Sequence, residues 1–438
     1  MARRRFVRDV IGVFNSNVFS ILTALLASII LARTLGPEKF GIYTALVIIP
    51  MVVVSLTHLG IRGAAIFHVG KGEYDKSELV SSIVVLLIIA SSLGMLISAI
   101  AYWIYDEPSF TTLMTGLVML VIPGRLAIIY IGGIFLGNDE INKANRMNWI
   151  TNAINLVLIA VLVWGLGLEI LGAVISFLVS GSIVAIYGFM LIRGSFRIRL
   201  RFHREIIISL LKLGILFSVS FFIIQLNYRI DILLLEKMRD ASEVGIYSLG
   251  VSVAEQLWQL PLAIGIVVFS RTAHPEDQHL MASRTGILLR LSFLFSLVTS
   301  VLIYFLSPYL VPLIFGSEYI PSIPIIQLIL PGIIMVVIFR ILSGHLAGLG
   351  KPQVTLYIFL PALVLNILLN LLWIPAYGGA GAAMATNVSY TAGSIGYVFA
   401  YAYYTKVPVR DIIVFRKSDF VQVSKIFRQL LDRRQSNL

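Results

Sequence analysis

The chain has 438 residues, 58% of them hydrophobic and only 13% charged, with a mean hydropathy of +0.93. Soluble domains are about 25% charged, so a water-soluble globule is excluded. There is no cysteine, which removes disulfides, thiol catalysis and thiolate metal sites. The net charge of +12 fits basic loops on the cytoplasmic side of a membrane better than a nucleic-acid partner.

The opening MARRRFVRDVIGVFNSN begins like a signal peptide, but its apolar run continues to Ala32 and further spans follow, so it reads as a retained first helix. Long apolar runs predict helices at 10–32, 41–66, 79–103, 111–137, 149–165, 168–192, 206–235, 245–270, 284–306, 325–349, 354–374 and 380–404. Between them stand LGPEKFG, GKGEYDKSE, YDEPS, GNDEINKANR, RGSFRIRLRFHRE, SRTAHPEDQH, GSEYIPSIP, GKPQ and PAYGG, read as loops. With the N-terminus inside, 24 lysines and arginines fall on the cytoplasmic side and four outside, which places both termini in the cytoplasm. Six basic residues lie well within spans: Arg62, Arg125, Lys212, Arg229, Arg290 and Arg340; the acids so placed are Asp231 and Glu255, Arg284 and Glu169 standing at span edges.

The chain carries an internal echo. Gly41-Ile42-Tyr43 returns as Gly245-Ile246-Tyr247, each opening the second helix of a six-helix half. Pro123-Gly124 and Pro331-Gly332 recur inside the fourth helices, Gly137 and Gly350 end them, and Leu171-Gly172-Ala173 and Ala380-Gly381-Ala382 begin the sixth. Six crossings per half give both halves the same orientation, with a pseudo-two-fold axis along the membrane normal and a substrate cavity between the bundles. The expected organisation is a lobe over 1–192, a basic cytoplasmic linker over 193–205, a lobe over 206–404 and a basic tail over 405–438.

The segments LARTLGPEKFGIYTAL, RIDILLL followed by GIYSLG, VPLIFGSEYIPSIPIIQLILPG, RILSGHLAGLGKPQ and WIPAYGGAGAAMAT, in this order, resemble oligosaccharide-lipid flippases of the polysaccharide-synthesis type. Their superfamily also holds multidrug-and-toxin extruders and lipid II flippases. The resemblance implies an all-α integral membrane fold of 12 transmembrane helices, in two pseudo-symmetric six-helix bundles around a cationic central cavity. It also implies alternating access that moves a polyprenyl-pyrophosphate-linked oligosaccharide outward across the cell membrane, with membrane lipids and other glycan-assembly proteins as partners. The two further helices common in lipid II flippases are not found.

An ionisable residue within a span costs about 2.5–3.5 kcal/mol on insertion scales and is by default a functional candidate. Arg125 stands 14 residues into its span, about 21 Å at 1.5 Å per residue, and Arg340 at comparable depth. Arginine meets phosphate oxygens bidentately and keeps its charge, so both are candidate substrate ligands; a structural pair or bonding to backbone carbonyls is the other role open to them. Arg62 either receives a head group or snorkels, and snorkelling accounts for Lys212 and Arg290. Arg229 and Asp231 sit two residues apart and cannot face each other on a helix. Asp231 either pairs with Arg125 or Arg340 or, with Glu255, carries a coupling H⁺ or Na⁺. Trp258, one turn from Glu255, is a candidate sugar platform, whereas Tyr102, Trp103, Tyr105, Tyr357, Trp373 and Tyr377 suit the membrane interfaces. Pro123, Pro261 and Pro331 are expected to kink their helices. The sequon at Asn387 lies in a span and is discounted. Phe420, Val423, Phe427 and Leu430 give the tail 416–434 the spacing of an amphipathic surface helix.

No phosphate-binding GxxxxGK[ST] loop and no HExxH occurs, so neither an ATP-driven pump nor a metalloenzyme is expected, and no cofactor. A cation-coupled drug extruder on the same architecture and a non-transporting scaffold of a glycan-assembly complex are the alternatives; a glycan polymerase is disfavoured by short outer loops.

Overall fold

The computed structural model describes residues 2–138, 140–196, 198–199, 201–272 and 275–415; the expected tail helix over 416–434 lies outside the described residues. Among the described residues the fold is all-helical. In chain order the helices are α1 (Ala2–Thr57), α2 (Ile61–Lys71), α3 (Lys76–Tyr105), α4 (Thr112–Met119), α5 (Val121–Gly137), α6 (Ile141–Ile159, running on as a π-turn over Ala160–Gly165), α7 (Glu169–Ser195) and α8 (Arg204–Met238). Then follow α9 (Ala241–Glu255), α10 (Gln259–Thr272), α11 (Pro275–Phe315), α12 (Ser322–Gly348), α13 (Gln353–Thr405) and the short α14 (Val409–Ile413). Ten helical stretches among the described residues are long and apolar enough to cross a membrane.

Several expected loops are kinks. LGPEKFG lies inside α1, which turns at Gly36 (φ 67°), and PAYGG lies inside α13, which turns at Gly378 (φ 55°). Both glycines adopt backbone angles that side-chain-bearing residues avoid, so one residue redirects each chain without a loop. Conversely, the span expected over 41–66 is broken: Leu59 and Gly60 are left-handed, and α2 starts afresh at Ile61. Pro123 and Pro261 do interrupt their helices, each about one turn upstream, where α4 ends at Met119 and a 3₁₀ turn covers Gln256–Trp258. A proline ring clashes with the carbonyl four residues back, which here belongs to Met119 and Leu257. Pro331 leaves α12 continuous.

The chain forms two compact units. The first comprises Met1–Gly250, Pro308–Ile323 and Ile367–Ala382; the second comprises Val251–Ser307, Pro324–Asn366 and Ala383–Leu438. The core of the first unit gathers Ile61, Leu79, Ile83, Ile122, Leu126, Tyr130 and Phe135. Its two echo motifs meet face to face: a Cβ on Gly41 would stand 1.8 Å from the Ala241 carbonyl oxygen, and one on Gly245 1.9 Å from that of Pro37. Around this crossing Arg33 Nε donates to the Ile314 carbonyl at 2.7 Å, Tyr319 Oη to that of Ala32 at 3.2 Å, and Arg239 Nη2 to that of Ile374 at 3.0 Å. A second glycine contact joins the break in α1/α2 to α8, with a Cβ on Gly60 placed 2.1 Å from the Gly214 carbonyl oxygen. Ser218 Oγ donates to the Leu56 carbonyl at 2.8 Å, satisfying one of the acceptors that the break releases.

The second unit repeats the packing of the first. In the first, Gly133 and Gly137 of α5 rest on Arg62 and Val69 of α2, and Gly124 rests on Gly181 of α7. In the second, Gly344 and Gly348 of α12 rest on Gly265 and Thr272 of α10, and Gly332 on Asn387 of α13. Asn387 is structural: its Oδ1 accepts from Gly332 N at 2.7 Å. Phe339, Phe359 and Tyr397 form an aromatic core, with Phe339 and Phe359 centroids 4.4 Å apart.

Candidate functional site

In the first unit, α5 carries Arg125 half-buried, with its guanidinium carbon 4.4 Å from the Phe177 ring centroid on α7 and Tyr43 of α1 nearby. Its Nε is buried without a hydrogen-bond partner, and no carboxylate pairs with it among the described residues. The pairing of Asp231 with Arg125 is therefore not made. A cation over an aromatic face is stabilised by about 0.5–2 kcal/mol, less than the insertion cost of the charge, so Phe177 holds the guanidinium without neutralising it. Arg62, second residue of α2, is exposed and likewise has no hydrogen bond or ion pair among the described residues; His58, at the helix break, lies within its field. His58 Nδ1 accepts from Gly60 N at 2.8 Å and its ring lies 5.2 Å from that of Phe221.

On α8, Asp231 is buried (1% exposed) and accepts from Ile232 N at 2.8 Å and from the hydroxyl of Tyr247, the echo tyrosine of α9. Arg229 is half-buried on the same helix. In the second unit the structure brings Arg340 and Trp258 together, the guanidinium carbon 4.9 Å from the ring centroid, with Tyr390 6.4 Å beyond the indole. Glu255 is buried one turn before Trp258. Arg290 is 4% exposed and donates to the Asp411 carbonyl at 2.6 Å, tying α11 to α14; this is a structural bond and not the snorkelling expected of it. Lys212 is exposed.

Glu236 escapes a reading based on apolar runs because the span expected over 206–235 stops one residue short, whereas α8 continues to Met238. It is buried and accepts a hydrogen bond from the Tyr105 hydroxyl. His345, 1% exposed, is hydrogen-bonded through Nδ1 to Tyr401 Oη at 2.5 Å, and nothing in its local sequence marks it. Phe177 is equally silent in sequence. A cleft of about 450 Å³ lined by Glu38, Asp240 and Glu243 is acidic and holds none of the candidate arginines.

Residues 6–275, more than half of the chain, match the family described as polysaccharide biosynthesis protein. The chain belongs to that family. Residues 217–372 also match the MatE family. Among relatives of this family member, a Shigella flexneri protein provisionally named an O-antigen transporter is 24% identical over 82% of the chain and 88% of its own length. A Haloferax volcanii protein provisionally named a low-salt glycan biosynthesis flippase is 21% identical, covering 89% of this chain and 82% of that one. The structure of the lipid II flippase MurJ in an inward closed conformation superposes with a TM-score of 0.72 at 15% identity, over 96% of this chain and 93% of MurJ, and so shares the fold. The family member is a multi-pass membrane protein.

Proposed function

We propose that this chain is a flippase that moves a polyprenyl-pyrophosphate-linked oligosaccharide from the cytoplasmic to the outer leaflet of the cell membrane. The observation that carries it is Arg125, a permanently charged group deep in a membrane helix, stacked on Phe177 and lacking a carboxylate. A charge retained at that cost and left without a counter-ion suits a cargo that supplies the anion.

In the proposed architecture the kinks at Gly36 and Gly378 divide α1 and α13, bringing the ten long stretches to twelve spans in two six-helix lobes around a central cavity, with both termini cytoplasmic. Arg62 would receive the diphosphate, Arg125 and Arg340 would hold it during passage with Arg229 in support, and Trp258 would offer its face to a sugar. Asp231 and Glu255 would bind the coupling H⁺ or Na⁺. The cargo itself favours export: two negative charges leaving a negative-inside cell gain ~4–5 kcal/mol at 100 mV, at ~2.3 kcal/mol per charge. No covalent step is required, so the chain would act as a transporter and not as an enzyme. The MatE match favours a drug extruder as a second reading, but a cationic drug would meet the charge of Arg125, which no carboxylate neutralises among the described residues.

The test is transport by purified protein in vesicles, using a fluorescent polyprenyl-diphosphate glycan and a cationic drug as competing cargoes. Translocation of the glycolipid, quickened by an imposed potential, is expected; drug transport without glycolipid movement would select the extruder.

A further inference from the structure

Helix α6 carries asparagines at 145, 148, 152 and 155, a 3-4-3 spacing that at 100° per residue gathers them within an arc of about 80°. The helix is otherwise a membrane span. Its opposite face is apolar and open, with Val157 61% exposed. On the amide face Asn148 is exposed and Asn152 and Asn155 are half-buried. Among the described residues none of these three makes a side-chain hydrogen bond, and Asn155 Oδ1 is buried without a partner. Asn145 has a partner of its own, but interhelical amide glue, the usual reason for asparagine in a membrane helix, would show cross-helix bonds at Asn148, Asn152 and Asn155 as well. Left in hydrocarbon, each amide would forfeit its hydrogen bonds at a substantial free-energy cost, so the face requires water or a polar ligand.

The row has a direction. Asn145 stands four residues from the start of α6 and Asn155 fourteen, a track about 15 Å long. Asn152 is 11 residues from the α6 start, and Arg125 is 12 residues from the α5 end at Gly137, so on these consecutive antiparallel helices the two lie at the same depth. The track therefore leads from one helix end to the level of the unneutralised guanidinium. Trp149 flanks it, half-buried, with its ring 5.5 Å from that of Phe19 and edge-on to it; the next residue, Ser20, has a buried hydroxyl oxygen without a partner. Uncharged groups that both donate and accept, beside an aromatic ring, match vicinal hydroxyls and sugar C–H faces, and not phosphate or a cationic drug.

We infer that the amide row of α6, Asn148, Asn152 and Asn155 with Trp149 beside it, is the surface that carries the sugar chain of the cargo. This rests on the flippase proposal and adds to it where the glycan lies.

The absence of cysteine allows a direct test in the full chain. Single cysteines at positions 148, 152, 155 and 157 are exposed to a charged, membrane-impermeant thiol reagent. The three amide positions are expected to react and position 157 not to. Lipid-linked glycans extracted from the cells that make the protein should protect the three, and the same extract stripped of its sugars by mild acid should not. Asn152→Ala combined with Asn155→Ala should weaken binding of the intact lipid about thirtyfold, the value of two net hydrogen bonds, and leave stripped-lipid binding unchanged. Unreactive amide positions, equal protection by both extracts, or collapse of the double variant during purification would overturn the assignment in favour of helix packing or a lipid contact. A wild-type chain that binds neither extract would refute the flippase proposal itself.

Discussion

Gly41→Ala is a severe single-atom change in the first unit. The added carbon would lie 1.8 Å from the Ala241 carbonyl oxygen and 2.8 Å from Gly245 N, where ordinary contact begins at 3.4 Å. Both obstacles are backbone, so α1 and α9 must part by more than 1 Å. Against this, alanine gains about 1 kcal/mol of helix propensity over glycine. Forced overpacking costs about 1–3 kcal/mol where side chains can give way, and here none can, so the net effect is destabilising by at least about 2 kcal/mol. Gly132→Ala is the control: it lies in α5 with nothing within 4 Å of the added carbon, so propensity alone acts and stability should hold or rise by up to about 1 kcal/mol. Thermal unfolding of both variants in the same detergent checks the pair. Equal melting temperatures for Gly41→Ala and the wild type would refute the close crossing. Disulfide trapping across the crossing would then report how far the helices have moved.

Further outcomes follow from other contacts. Asp231→Asn and Glu255→Gln should leave binding of a diphosphate lipid intact while removing the dependence of transport on an ion gradient; unchanged gradient dependence in both would assign them structural roles. Glu73 is exposed and its carboxyl is held below its ordinary value of 4.5, mainly by a hydrogen bond from Lys71 at 2.5 Å. Its small contribution to stability is thus present above that value and lost as pH falls through the lowered one. Glu73→Gln should lower the melting temperature marginally at pH 7 and by less as the pH falls, whereas a difference that grows in acid would reverse the sign. Arg290→Gln should destabilise the second unit, since it removes the part-buried bond to Asp411 O at 2.6 Å; an unchanged melting temperature would show that Arg290 does snorkel.

Composition and apolar run length were enough to read an all-helical membrane chain, because a bilayer accepts few alternatives to helices. The echo of Gly41-Ile42-Tyr43 in Gly245-Ile246-Tyr247 was legible, and its meaning is steric: the two glycines are where the two helices cross. Kinks were less legible. LGPEKFG and PAYGG have loop composition, yet one left-handed glycine in each suffices to turn a continuing helix. The break at His58-Leu59-Gly60 falls within an apolar run and shows no proline. Depth counting singled out Arg125, but the ring of Phe177 that faces it is one phenylalanine among 25. Glu236 was hidden by a boundary that differs by three residues.

The most direct measurement of the central claim is the flipping rate of a fluorescent polyprenyl-diphosphate glycan by Arg125 variants in vesicles. Arg125→Gln should fold and yet slow transport by at least about tenfold, the loss of one or two charge-assisted hydrogen bonds. Arg125→Lys should restore part of it as a point charge without the planar fork. A well-folded Arg125→Gln protein that flips the lipid at the wild-type rate would contradict the account.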